Sequence, residues 1–162
     1  MTSLLHLTLL AVLTQAPAAG ADCADHHAAD VDRRGDQAMG FSHQQTAHHF
    51  TLTSEGGRIF AAAISAEDVE TRDAIRAHMG HIARAFAAGN FEMPMFIHGK
   101  TPPGVPTMKR LRERIQYRSE DTERGAQVVI RTSDPDAVAA IHAFLRFQIA
   151  DHRTGDPTAV AK

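Results

Sequence analysis

His78 and His81 stand three residues apart where the apolar residues recur with a helical period, so their imidazoles occupy neighbouring parts of one helix surface. A neutral imidazole offers a nitrogen lone pair suited to zinc, copper, nickel or iron, and its second nitrogen can be fixed by a carboxylate or carbonyl. His48 and His49 precede an expected first strand and meet that surface if the sheet packs on the helix. His49, His78 and His81 are therefore the expected inner metal ligands, with His48, His98 or Met108 to complete the set. Histidine is the outlier of the composition, with 11 residues in 162, and His43 belongs to the same compact region as these six candidates.

The methionines bear on which ion would bind. Thioether sulfur is soft and selects Cu(I), so a mixed pocket drawing on Met39, Met93, Met95 or Met108 favours copper over zinc as the bound cofactor. Met79 falls on an apolar stripe and is expected in the core. Taken singly, each histidine reads more simply as a hydrogen-bonded structural residue. His142 points away from the stripe of Ile141, Leu145 and Ile149 and is expected at the surface. His152 lies near the end of the last helix, where the helix dipole favours a positive imidazole in a structural role. Asp22-Cys-Ala-Asp-His-His27 is expected to be a soluble spacer, since nothing orders its donors.

Other chemistries lack their signatures. The chain has no Cys-x-x-Cys-His haem attachment, no phosphate-binding Gly-x-x-x-x-Gly-Lys, no Gly-x-Ser-x-Gly elbow and no His-Glu-x-x-His pair. Glu67, Asp68, Glu70 and Asp73 stand at a helix start, where negative charge is favourable, and read as capping residues before acid-base catalysts. A metal-assisted hydrolase or oxidase would need an open coordination position, and no nucleophile is assignable. The formal charge of -2 supplies no basic footprint, which argues against nucleic acid or an anionic membrane surface as partner.

Several features point to export. An apolar run from Leu4 to Leu13, then Ala16-Pro-Ala-Ala-Gly-Ala21, resembles a secretory signal peptide over residues 1–21, although no Lys or Arg precedes it. The run is too short for a permanent anchor, so no membrane span is expected in the mature form, and the setting is periplasmic or secreted. Cys23 is the only cysteine, which excludes an internal disulfide, and Asp22 before it argues against a lipoprotein.

The elements that must position the histidines follow from punctuation and period. Residues 22–38 read as a flexible linker, 39–156 as one domain and 157–162 as a disordered tail. His49 to Thr53, a turn at Ser54 to Gly57 and Arg58 to Ile64 predict a hairpin. Ser65 with Asp68 predicts a helix start, Ile75, Met79, Ile82 and Phe86 share one helix face, and Gly89 ends that helix. Phe91 to Gly104 reads as an irregular loop, and Pro106 opens a short helix through Arg114 whose basic side is a solvated face. Ile115 to Ser119, a turn at Glu123 to Gly125, and Gln127 to Arg131 predict a second hairpin, followed by a helix opened by Asp134-Pro135.

The expected fold is α+β: a tandem ββα repeat forming a four-stranded antiparallel sheet with the helices on one face. The leading functional expectation is an exported transition-metal-binding protein that uses a histidine cluster, with copper handling as its specific form. The alternative is a non-catalytic interaction module in which the open sheet face and Pro102-Pro-Gly104 recognise another exported protein, or a second copy in a homodimer, and the histidines tune it to pH.

Overall fold

The computed structural model describes residues 19–161, with side chains from His26 onward. Residues 1–18, most of the expected signal peptide, lie outside this range. The elements run α1 (Ala19–Met39), β1 (Thr46–Thr53), β2 (Gly56–Ala63), α2 (Val69–Ala87), α3 (Glu92–His98), α4 (Val105–Arg110), β3 (Gln116–Thr122), β4 (Gly125–Arg131) and α5 (Pro135–Asp151). Short 3-10 turns occupy His43–Gln45 and Arg112–Arg114.

Both hairpins form where the turn glycines predict them, and they join through β2 and β4 into an antiparallel sheet of order β1-β2-β4-β3. The class is α+β, as expected. Strand side chains alternate between the two faces, and the buried set is Phe50 and Leu52 on β1, Ile59 and Ala61 on β2, and Ala126, Val128 and Ile130 on β4. Helix α2 packs over β2, β4 and β3, while α5 packs over β1 and β2. Thr51, Arg58, Arg118 and Arg131 belong to the other set and are exposed.

The two long helices begin as their sequences require. Asp68 caps α2 by accepting the Thr71 amide at 3.0 Å, while Ser65 instead bonds Glu67. Asp134 caps α5 by accepting the Asp136 and Ala137 amides, with Pro135 in the first helical position, where a missing N–H costs nothing. Ile75, Met79, Ile82 and Phe86 of α2 meet Ile141, Phe144 and Leu145 of α5 in one core cluster.

Four expectations differ from the structure. Residues 22–38 lie within a helix rather than a flexible linker. Their sequence has almost no apolar period, but Val31 is fully buried and Arg34 donates from Nε to the Ile97 carbonyl at 2.8 Å, so contact with α3 holds what propensity alone would not. The stretch after Phe91 is helical over Glu92–His98, because Pro94 falls in the first turn, where its nitrogen has no intrahelical acceptor to miss. The helix opened near Pro106 stops at Arg110 and continues as a 3-10 turn rather than running on to Arg114. Val160, expected in a disordered tail, bridges Leu52 in parallel, and the Ala161 amide donates to the Leu52 carbonyl at 2.8 Å. Among the described residues, no helix is long and apolar enough to cross a membrane.

Gly104 fixes the approach of the α4 segment to α5. Its φ is 83°, and a Cβ there would stand 2.0 Å from the Ala140 carbonyl oxygen. Gly155 also has a positive φ, of 74°, but has open space around it. Gly104→Ala is expected to cost about 3 kcal/mol or more in chemical denaturation, against about 1 kcal/mol for Gly155→Ala. Equal losses would show that the close approach to α5 contributes nothing.

Candidate functional site

Phe50 and Leu52 point into the core, so His48, two residues earlier on β1, belongs to the same face and His49 to the opposite one. The His48 ring stacks between Phe41 and His152, with centroids 6.4 Å from each. His78, on the side of α2 nearest this strand, meets the edge of Phe41 at 5.6 Å. His152 follows the last residue of α5, where its ring lies against Phe50 at 5.8 Å and against His98 at 5.0 Å. His78, His48, His152 and His98 thus form a continuous array with Phe41 and Phe50 along one end of the sheet.

A cavity of about 80 Å³ opens beside this array. His78, His98 and His152 line it together with Met39 from α1, Met79 from α2 and Met93 from α3, and Gln148 of α5 closes one wall. A neighbouring groove of about 370 Å³ carries His81 and Phe96, and Ile82, Phe86 and Met93 border both spaces.

Burial governs protonation in the array. Desolvation pushes His48 down to about 4, helped by nearby His49 and His43 and opposed by Asp36. Burial also lowers His78 to about 4, with His48 and His81 adding to the effect. His152 falls to about 3, again chiefly through burial, then through His98 and His48, with Asp151 opposing. The expectation that the helix end keeps His152 positive is therefore overturned: removing the ring from water outweighs the dipole. At neutral pH all three rings are uncharged and each has a nitrogen lone pair. None of the three makes a hydrogen bond to a partner among the described residues.

His27, His43, His49, His98 and His142 are committed to hydrogen bonds. His98 is buried, with Nδ1 at 2.5 Å from Asp151 Oδ2 and Nε2 at 2.9 Å from Gln148 Oε1. Asp151 also meets His27 Nε2 at 3.0 Å. Burial would raise its carboxyl, but the hydrogen bonds from His98 and His27 outweigh this and hold it below the usual carboxylate value. His49 lies on the exposed face, pairs with Asp156 at 2.9 Å and stacks on Phe60. His43 pairs with Asp36 at 3.0 Å. His142, expected at the surface, is buried and bonds the Thr53 carbonyl through Nε2 at 2.9 Å, because the β1 end closes over α5.

Of the residues singled out from the sequence, the structure brings His48, His78 and His98 together. It leaves His81 exposed in the adjoining groove, puts His49 across the sheet and buries Met108 in the core among α4 and α5 residues. His152 and Gln148 were missed as site residues. Their signal was the spacing of Phe144, Gln148 and His152 at four-residue intervals, which aligns them along α5. The period-two alternation of Phe50 and Leu52 likewise pointed to His48 rather than His49. Among the described residues, no three His, Cys, Asp or Glu side chains are arranged to hold a metal ion; the cavity is lined by imidazoles, thioethers and apolar side chains. No protein-family model, curated protein or solved structure matches the chain.

The three depressed imidazoles set a pH dependence. In the folded chain they bind protons more weakly than at the ordinary value of 6.5, so the unfolded state takes up protons first as pH falls. The stability associated with the neutral rings is complete above 6.5 and is lost as pH drops from there towards 4. The melting temperature of the metal-free protein is expected to be level above pH 7 and to fall between 6.5 and 4.5, with uptake of up to about three protons on unfolding. His152→Gln should remove about one proton from that uptake; a flat profile across this window would show that the rings are not held neutral.

Proposed function

We propose that the protein binds copper(I) at the part-buried histidine array, with two of His48, His78 and His152 as imidazole donors and Met39, Met79 or Met93 supplying thioether sulfur. One observation carries this reading: three imidazoles without hydrogen-bond partners among the described residues are gathered beside a cavity lined by three methionines. These rings are part-buried and neutral, and a metal ion would use their lone pairs.

The His48 and His152 rings are stacked, with centroids 6.4 Å apart and planes 12° apart, so a shared ion requires a ring to rotate and bring its nitrogen toward the other. Thioether sulfur prefers Cu(I) among the candidate ions, whereas zinc takes nitrogen, thiolate and carboxylate donors in sets of three or four. The paired His98–Asp151 unit stands behind His152, where it orients the array without lending a nitrogen of its own. Binding and holding the ion, in an exported setting, accounts for these features without a nucleophile or an acid-base pair.

Anaerobic titration of untagged protein with Cu(I) in competition with a chromogenic chelator tests the reading. One equivalent is expected to bind, and His48→Ala/His152→Ala should weaken it by more than the 10–100-fold typical of losing an outer-shell partner. Met79→Leu/Met93→Leu should weaken Cu(I) while leaving Zn(II) unchanged, and His49→Ala should have no effect. Retention of tight Cu(I) binding by the folded double-histidine variant would reject the site.

A further inference from the structure

Gln148 is 4% exposed and projects from α5 into the wall of the cavity. Its Oε1 faces His98 Nε2 at 2.9 Å, and its Nε2 has no hydrogen-bond partner. The ionised Asp151 carboxylate holds a proton on His98 Nδ1. If His98 Nε2 also carries a proton, Gln148 accepts it and leaves its NH2 unpartnered. If that nitrogen bears a lone pair, the carboxamide turns over, donates to it and leaves its carbonyl unpartnered. Either way, one polar atom of a buried amide in the cavity wall is left without a partner, in a cavity also lined by Met39, Met79, Met93 and Phe144.

We infer that this cavity receives a small molecule with an apolar body and a single hydroxyl group, the hydroxyl pairing with Gln148. A hydroxyl both donates and accepts, so it matches the amide in either orientation. A carboxylate would have to shed its water against an apolar wall near the Asp151 carboxylate, and for an ammonium that carboxylate is already taken by His98 and His27. The cavity, at about 80 Å³, is smaller than the roughly 150 Å³ that holds a benzene molecule. The remainder of the ligand therefore extends past Ile82, Phe86 and Met93 into the adjoining groove of about 370 Å³. Met93 borders both spaces, and an unbranched thioether side chain adapts readily to a guest. An elongated para-substituted phenol has the required shape.

The inference does not rest on copper binding and is tested on the metal-free full chain. Methionine methyl groups and glutamine side-chain amides are followed by NMR while 4-methylphenol or its hydroxyl-free isostere 1,4-dimethylbenzene is added. Saturable shifts at Met79, Met93 and the Gln148 amide are expected with 4-methylphenol, and binding of the isostere about tenfold weaker. Gln148→Leu should remove that preference. Absence of saturable binding, or equal affinity of the wild-type protein for both compounds, would overturn the inference and leave an ordered water as the partner of Gln148. The comparison of two compounds on the wild-type chain stands even if the variant does not fold.

Discussion

The carboxylate of Asp151 receives His98 from α3 and His27 from α1 while occupying the last position of α5, with the Lys100 ammonium 4.0 Å away. A negative charge at a helix C-terminus is opposed by the helix dipole. The two imidazole N–H groups offset that repulsion, and in doing so they join α1, α3 and α5. The pairing orients His98 and, together with the Arg34–Ile97 bond and the burial of Val31, holds α1 and α3 beside the cavity.

The same desolvation that makes the histidine array expensive at low pH makes it useful at neutral pH. A ring exposed to water would exchange its lone pair among solvent hydrogen bonds and a proton. His48, His78 and His152 are held uncharged among Phe41, Phe50 and the methionines, where a soft cation or a hydrogen-bond donor is the available partner. His49, one residue along β1, shows the contrast: on the solvent side of the sheet it is paired with Asp156. Asp156 also accepts the Phe50 amide at 2.8 Å, and the bridge from Val160 to Leu52 continues along that edge. The chain end thereby covers backbone groups that an edge strand would otherwise expose.

Much of the architecture was legible because local signals agreed with one another. Turn glycines marked both hairpins, Asp68 and Asp134-Pro135 marked the helix starts, and the Ile75, Met79, Ile82 and Phe86 stripe identified the buried face of α2. The segments that misled were those whose local sequence is indifferent. Residues 22–38 are polar and rich in Asp and His, and only burial of Val31 and the contacts of His27 and Arg34 make them part of the folded body. Phe91 to Gly104 carries three prolines, and whether Pro94 breaks a helix depends on its falling in the first turn.

The sequence by itself determined the abundance of histidine, the α+β class and the helix that carries His78, since these depend on composition and on contacts within a few positions. Which histidines share a space was decided by tertiary structure. Strand register assigns His48 inward and His49 outward, and a shift of one residue would exchange them. The meeting of β1 with the end of α5 joins His48 to His152 across a hundred residues of chain, and the closure of α1 and α3 adds Met39 and Met93. Burial, which keeps those rings neutral, exists only once these distant segments have excluded water together.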